Sequence, residues 1–507
     1  MLTSIALGLT LDPVPAAQEN AYLIGANRLT HPEFLGHDWT FGSSSARTFL
    51  FDRAAGLPMA VLPLEVVGWA LRIGCWILIL TALLRLGRHY GLAPIQAGAA
   101  IAAWLAIDQT LVAQEPIIGR VGPNILAYVF GFHALAWMLA GKRTAGALSL
   151  GLCVGFHPSV GLPFALGIGW GLLRQGGSVR SLAAVSGLAL VAALPGILPL
   201  VPELGKVAAG ARTEWEFQTL ARMRIHLDLL SFPHTGLLAI ALAFGFTWVA
   251  QRSRRSDPSM RLLQGFLEGI AVVFLFGVVA TLIGRYEWLS IYPFRVLPVV
   301  VPLLFFLSLL TRYADGELSP HRPGLALLAL FTLLCMPNPP LRLRGRIERS
   351  LAAWRVRSSD LSQALRWVAG NTPEDATILV TPLPLWTSYI SHRAQIVHWA
   401  YAPFERLPEW RERINGLVGP VAPREPAAAK EARFDRLPPE VIRDIAARYG
   451  VDYLVTRGRY DFPTVFQRGA YRVYALSRHL PLTEEGLDSA RTRSSNSASR
   501  WAASGGR

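Results

Sequence analysis

Residues 64–84 read Leu-Glu-Val-Val-Gly-Trp-Ala-Leu-Arg-Ile-Gly-Cys-Trp-Ile-Leu-Ile-Leu-Thr-Ala-Leu-Leu. A helix needs about 20 apolar residues to cross roughly 30 Å of hydrocarbon. This run supplies them, with Arg72 as its one cation and Glu65 at its start. A charged group inside a span is costly, so Arg72 is expected to snorkel or to pair with Glu65. Similar runs lie near 1–12, 92–112, 124–140, 145–156, 159–173, 181–201, 235–250, 262–283, 296–310 and 324–336. With 64–84 they make about eleven expected spans. The first is too short to cross alone and has no basic segment before it, so it reads as a stub or a misassigned start rather than a signal peptide. Two short runs meet at His157-Pro158. Proline cannot continue a helical ladder, which predicts a broken or re-entrant hairpin there.

Composition agrees. Of 507 residues, 52% are hydrophobic and 16% charged, with a mean hydropathy of +0.35. Soluble domains carry about 25% charged residues. The net charge of +15 rests on 46 arginines and only 3 lysines, a bias that reads as base composition rather than function. No nucleic-acid motif accompanies the charge, so anionic lipid is the expected partner and nucleic acid is not. Cys75, Cys153 and Cys335 fall in apolar runs without metal-type spacing and read as buried thiols. Basic residues Arg85, Arg88, Lys142, Arg143, Arg174, Arg180, Arg252, Arg254, Arg255 and Arg261 fall in loops on one side. The positive-inside rule assigns that side to the cytoplasm. Loops 13–63, 113–123, 202–234 and 284–295 are then external, together with the C-terminal region.

After Met336 the character changes. Pro337-Asn338-Pro339-Pro340 ends the last span, and residues 343–370 read as an arginine-rich helix. β-Branched runs at 376–380, 394–399, 452–456 and 471–474 read as strands, and 404–417 and 438–449 as helices. The expected fold is therefore an α-helical polytopic membrane protein with a C-terminal extracytoplasmic α/β domain. The transmembrane domain covers 1–336 with the external loop 13–63, the soluble domain covers 337–480, and a disordered tail covers 481–507. No internal repeat is visible.

Four external clusters could carry chemistry. His37-Asp38-Trp39, with Glu33 and Asp52, offers a carboxylate that an apolar wall could tune into a general base. The alternative is that Asp38 caps a short helix and Trp39 anchors in headgroups. Glu115, in Gln114-Glu115-Pro116-Ile117-Ile118-Gly119-Arg120, is a second acid or the partner of Arg120, and Asp108 is a further candidate. Arg222, Arg224 and His226 could hold a phosphate, with Arg222 and His226 four apart on one helical face. Lipid headgroups would attract the same residues. Arg295, after Tyr292-Pro293-Phe294, could also hold phosphate or could snorkel from an aromatic belt. His157 is a further candidate, or a satisfied buried group. No Gly-Lys-Ser/Thr loop, His-Glu-x-x-His or Gly-x-Ser-x-Gly is present, which argues against an ATPase, a zincin and a serine hydrolase.

The string Gln18-Glu19-Asn20-Ala21-Tyr22-Leu23, Pro32-Glu33-Phe34-Leu35 and Asp38-Trp39 resembles the first external loop of uncharacterised bacterial multi-pass proteins. Their architecture is similar to that of GT-C superfamily glycosyltransferases. Gln114 to Gly119, Phe156 to Gly161, Trp367 with Asn371-Thr372-Pro373, and Arg393 with Ile396-Val397-His398-Trp399 resemble further motifs of that group. The resemblance implies a polyprenyl-phosphate sugar donor, an envelope acceptor and transfer at the outer face of the inner membrane. It also implies an acid in the first external loop, matched by Asp38, with Glu115 as the second-loop acid. There is no Asp-x-Asp in an external loop, so no metal or other cofactor is expected. The competing reading is a transporter or envelope scaffold, or a degenerate GT-C fold that only binds lipid or glycan.

Overall fold

A computed structural model describes residues 12–15, 19–41, 46–202, 212–318, 323–336, 339–384, 386–403 and 406–476. The expected span at 1–12 lies almost wholly outside these residues, and the expected tail at 481–507 entirely outside them. Five helices are long and apolar enough to cross a membrane: Leu64–His89, Val179–Leu200, His234–Arg252, Pro258–Leu282 and Leu297–Ala314. Pro94–Ala106, Pro123–Leu139, Arg143–Phe156 and Pro323–Cys335 are shorter apolar helices. Pro158–Arg174, also mostly apolar, continues the hairpin. The hairpin breaks as expected, with His157 extended at φ −157° between the two helices.

Small residues let these helices approach closely, which replaces a hydrophobic driving force inside lipid. Gly167 and Gly171 of Pro158–Arg174 face Gly265 and Gly269 of Pro258–Leu282. A Cβ on Gly265 would lie 2.6 Å from the Gly171 Cα, and one on Gly269 2.7 Å from the Gly167 Cα. Both pairs are spaced four apart, so each helix presents a smooth groove to the other. Glu268, one position away, ties its helix to Pro158–Arg174 and also to His234–Arg252. Its carboxylate accepts from the indoles of Trp170 (2.9 Å) and Trp248 (3.0 Å) and pairs with Arg174.

Arg72 corrects the sequence reading. It is fully buried and its guanidinium is bound bidentately by Glu19, not by Glu65. Arg72 also donates to the Asp12 carbonyl (2.6 Å), and Glu19 accepts from the Val121 amide (2.7 Å). The ion pair thus ties helix Glu19–Asn27 to the bundle and to the 107–122 loop. Glu65 instead accepts from the Tyr389 hydroxyl of the C-terminal domain.

That domain holds a five-stranded sheet, ordered β2-β1-β3-β5-β4. The strands are β1 (Thr377–Val380), β2 (Ala394–Gln395), β3 (Tyr453–Thr456), β4 (Thr464–Arg468) and β5 (Tyr471–Ala475). β2, β1 and β3 run parallel, and β5 and β4 are antiparallel. Side chains alternate across a strand. Ile378, Val380, Tyr453, Val455 and Val473 therefore pack under helix Asp360–Asn371. Leu379, Leu454 and Tyr474 pack on the opposite face with helices Leu407–Val418 and Pro439–Tyr449. The long helix expected at 343–370 is two, Pro339–Val356 and Asp360–Asn371. Ser359 interrupts it by capping the second helix, its hydroxyl accepting from the Ser362 amide. β4 and helix Ala427–Phe434 were not expected from the sequence.

The C-terminal core is not built from its own chain segment alone. Phe217, from the 202–234 loop, packs in it against Trp399 and Trp410. Trp39, from the 13–63 loop, packs against it and donates to Glu409 (2.8 Å). Ion pairs Arg411–Glu214 (2.9 Å) and Arg424–Asp228 (2.8 Å) close the rest of the seam.

Candidate functional site

The loop between helices Pro94–Ala106 and Pro123–Leu139 is buried but irregular. Asp108, Gln109, Ala113 and Gln114 all have positive φ, a conformation that costs a non-glycine residue about 1 kcal/mol or more. Gln109 holds the loop together. Its Oε1 accepts from the Ile117 (2.8 Å) and Ile118 (2.6 Å) amides, and its Nε2 donates to the Ile118 carbonyl (3.0 Å). The strain buys one placement: Glu115, only 4% exposed, is held at the end of the helical bundle. Asn124, on the first turn of the next helix, donates to Glu115 Oε1 (2.7 Å).

Two basic groups, Arg295 and His226, converge on Glu115. Arg295 Nε lies 3.3 Å from Oε1, and His226 Nδ1 lies 3.7 Å from Oε2. The expected Glu115–Arg120 alternative is thereby replaced by Arg295 as the close partner. Arg295 also donates to His157 Nε2 (3.1 Å) and Ser159 Oγ (3.1 Å). A guanidinium can only donate, so His157 Nε2 accepts and its Nδ1 carries the hydrogen, 3.0 Å from Ser159 Oγ. His157 is thus a satisfied group that orients Arg295, the second of its two sequence readings. Tyr292, itself at positive φ, places its ring 4.5 Å from the Arg295 guanidinium carbon. Tyr128 donates to the Arg295 carbonyl (2.9 Å).

His226 Nδ1 is 2.7 Å from the Ala113 carbonyl, so it too carries the hydrogen. Burial holds the His226 pKa below the ordinary histidine value, with Glu115 opposing and Arg295 reinforcing the shift. The imidazole is therefore neutral near pH 7. Arg222 and His226 do not share a helical face as the spacing suggested. A π-turn at Gln218–Arg222 ends before helix Arg224–Leu227 begins. Wide turns of this kind recur at functional sites because they redirect a side chain. Arg222 turns to the Ala400 carbonyl (2.7 Å) and to Gln218. Among the described residues it has no carboxylate partner.

Glu19, Tyr22, Gln114, Glu115, Arg120, Asn124 and His226, with neighbouring apolar residues, line a small cavity of about 20 Å³. Burial pushes the Tyr22 hydroxyl up to about 12, with Arg295 and Arg222 opposing and Glu115 reinforcing. It stays protonated and can donate. Tyr401, from the C-terminal domain, meets Tyr22 edge to face, with ring centroids 6.0 Å apart.

Other sequence candidates lie elsewhere. Asp38 is 1% exposed and forms a clamp between the first loop and the sheet domain. Its Oδ1 accepts from the Thr40 (2.9 Å) and Phe41 (3.1 Å) amides. Its Oδ2 accepts from the Gln395 amide (2.9 Å) and lies 3.3 Å from His398 Nε2. Asp38 is thus a turn cap, and also more than one. Ser388 Oγ contacts the same His398 nitrogen at 2.9 Å. A nucleophile–base–acid relay needs the acid on the other imidazole nitrogen, so this trio is not one. Trp39 sits between Arg406 and Arg413, in the domain seam rather than in headgroups. Glu33 is exposed, and Arg224 donates to the Arg424 carbonyl. Asp108 pairs with Arg349. Among the described residues no group of three His, Cys, Asp or Glu side chains could hold a metal ion.

Sequence reasoning missed Gln109, Asn124, Ser159 and the two tyrosines as parts of the site. Asn124 carried a signal: it follows Gly122-Pro123, a helix start, and so stands at a bundle end. A family described as a domain of unknown function (DUF6798) matches residues 359–417. That segment carries Gln395, His398, Tyr401 and Trp410, which receive the 13–63 and 202–234 loops. No curated protein matches the chain.

Proposed function

We propose that this protein is a membrane glycosyltransferase of GT-C type, with about eleven transmembrane helices and an extracytoplasmic C-terminal domain. It would transfer a sugar from a polyprenyl-phosphate donor to an envelope acceptor at the outer face of the bacterial inner membrane. One observation carries the reading. A buried carboxylate, Glu115, lines a small cavity with Tyr22, Arg120 and His226, and behind that wall Arg295 pairs with Glu115 while Arg222 lies within the field of Tyr22. Arginines there suit a departing phosphate, because fixed donors are worth most where charge develops. Glu115 is the acid able to take the acceptor proton once a donor phosphate draws Arg295 away from it. Asp38 then positions the first loop rather than reacting. His226 and His157 hold Glu115 and Arg295 in place.

The test is transfer from radiolabelled polyprenyl-phosphate sugars to envelope extracts by purified protein in lipid. Glu115→Gln and Arg295→Gln should each lower transfer by about 10²–10³. Full activity in both variants would remove this cavity from the chemistry. Donor binding without transfer, across a broad sugar panel, would favour a protein that only binds lipid or glycan.

A further inference from the structure

Helix Pro339–Val356 carries five arginines against one glutamate. At about 100° per residue, Ile347, Leu351 and Trp354 fall within an arc of about 60° on it. All three are 43–50% exposed, whereas Ser350, on another face, is buried. The helix thus turns an apolar stripe outward.

Three tethers fix where it lies, and each stands at the end of an apolar helix. Its first residue follows Cys335, the last of Pro323–Cys335, by four positions, so its start lies within about 14 Å of that helix end. Midway along, Arg349 pairs with Asp108 (3.3 Å), two residues past the end of Pro94–Ala106. At the C-terminal end Arg357 donates to the Val14 carbonyl (2.5 Å) and stands over the rings of Trp354 and Tyr389. The Tyr389 hydroxyl in turn donates to Glu65, the second residue of Leu64–His89. A helix of 18 residues is about 27 Å long. This one spends that length alongside the ends of three apolar helices, at the level where a bilayer meets water. Leu327, Leu330, Phe331 and Leu334 of Pro323–Cys335 are exposed as well, so both helices flanking residues 336–338 present apolar surface.

We propose that Pro339–Val356 is an interfacial helix, seated in the bilayer with Ile347, Leu351 and Trp354 in the acyl boundary and with Arg344 and Arg355 on the phosphates of anionic phospholipid. Amphipathic helices with a basic polar side bind membranes in this way, adding attraction by anionic headgroups to apolar burial. Tryptophan favours the same depth. Arg344 and Arg355 are exposed and stand on one rim of the stripe. Arg344 shares its charge with Glu348 (2.8 Å), whereas Arg355 has no carboxylate partner among the described residues. The inference needs the apolar helices to cross a bilayer, but it does not need sugar transfer.

The experiment uses the full-length protein with Cys75, Cys153 and Cys335 replaced by alanine. A fluorophore is attached at Leu351→Cys and, as a comparison, at Ala352→Cys, an exposed position about 100° round the helix. Ile347→Cys serves if the Leu351 variant fails to fold. The protein is placed in nanodiscs of phosphatidylcholine and phosphatidylglycerol in equal parts. Acrylamide quenches from water, and nitroxide-labelled chains of either lipid quench from the bilayer. The expected result is a label at 351 protected from acrylamide and quenched by lipid, with the reverse at 352. Labelled phosphatidylglycerol should quench at 351 more effectively than phosphatidylcholine, by about fivefold for each arginine engaged. Arg355→Gln should lower that preference, and Arg468→Gln, an exposed arginine on β4, should leave it unchanged. Acrylamide quenching as strong at 351 as at 352 overturns the inference. So does protection at 351 from acrylamide and both lipids, which would mean that protein, such as a second copy of the chain, covers the stripe. Equal quenching by the two lipids, or a preference that Arg468→Gln lowers as much as Arg355→Gln, overturns the headgroup site. Lipid seating in a protein that transfers no sugar would leave the inference standing and sink the glycosyltransferase reading.

Discussion

Asp38→Asn separates a reacting acid from a structural clamp. The asparagine keeps one oxygen for the Thr40 and Phe41 amides, which Asp38 Oδ1 accepts at 2.9 and 3.1 Å. Its NH₂ then points at the Gln395 amide, a donor that Oδ2 accepted at 2.9 Å. Donor facing donor leaves the Gln395 N–H unsatisfied in a buried strand, costing about 1–3 kcal/mol. Loss of a charge-assisted bond adds a similar amount. A destabilisation of roughly 3 kcal/mol follows, which for a domain of this size is roughly 10 °C in melting temperature. The assay is thermal unfolding in detergent, followed by tryptophan fluorescence, with transfer activity measured well below the transition. The seam holds three of the fifteen tryptophans, Trp39, Trp399 and Trp410, so part of the signal comes from it. The expected outcome is early melting of the C-terminal domain with most of the activity retained at low temperature. A variant that melts like wild type but has lost transfer would refute the clamp and restore Asp38 as the base.

Glu19→Gln should destabilise the protein by about 3–5 kcal/mol, because it strands the fully buried Arg72 charge. Replacing both members with apolar residues should cost less, and a double-mutant cycle on thermal stability measures the difference. Gly265→Leu should prevent correct helix packing, since a Cβ there already meets the Gly171 backbone; monodisperse yield after detergent extraction reports it, and wild-type yield would exclude the close approach. The depressed His226 pKa fixes a pH dependence. The unfolded histidine binds its proton first, so stability should be full above about pH 6.5 and fall as pH drops toward the lower folded value. His226→Gln should flatten that slope in pH-resolved melting.

What the sequence revealed depended on the range of the interaction. The break at His157-Pro158, the end of the bundle after Met336 and four of the five strands are set by local chemistry, and the residues announced them. Pairings were not legible. Arg72 and Glu65 are near in sequence, yet the arginine reaches Glu19, across 53 positions. Arg222 and His226 have helical spacing, but the π-turn that ends at Arg222, before helix Arg224–Leu227 begins, was invisible to periodicity. Glu115 was legible as a candidate because its loop is polar at a bundle end. Its fixing by Gln109 was not, since that needs four positive-φ residues that nothing in their side chains demands. Asp38 was legible as either an acid or a cap, but its contacts with Gln395 and His398 were not, since those partners lie 357 and 360 positions away.

The insertion of Phe217 and Trp39 into the sheet domain bears on biosynthesis. A ribosome makes those two side chains long before β1, so the last domain to emerge finds part of its interior already waiting. It can close only if both earlier loops have reached the same side of the lipid. A chain threaded with one loop on the wrong side would leave a hole the size of an aromatic ring, at a cost of about 3–5 kcal/mol. Quality control would then meet an open, greasy sheet. Completion of the C-terminal domain would thus report on the placement of the two loops that pack into it.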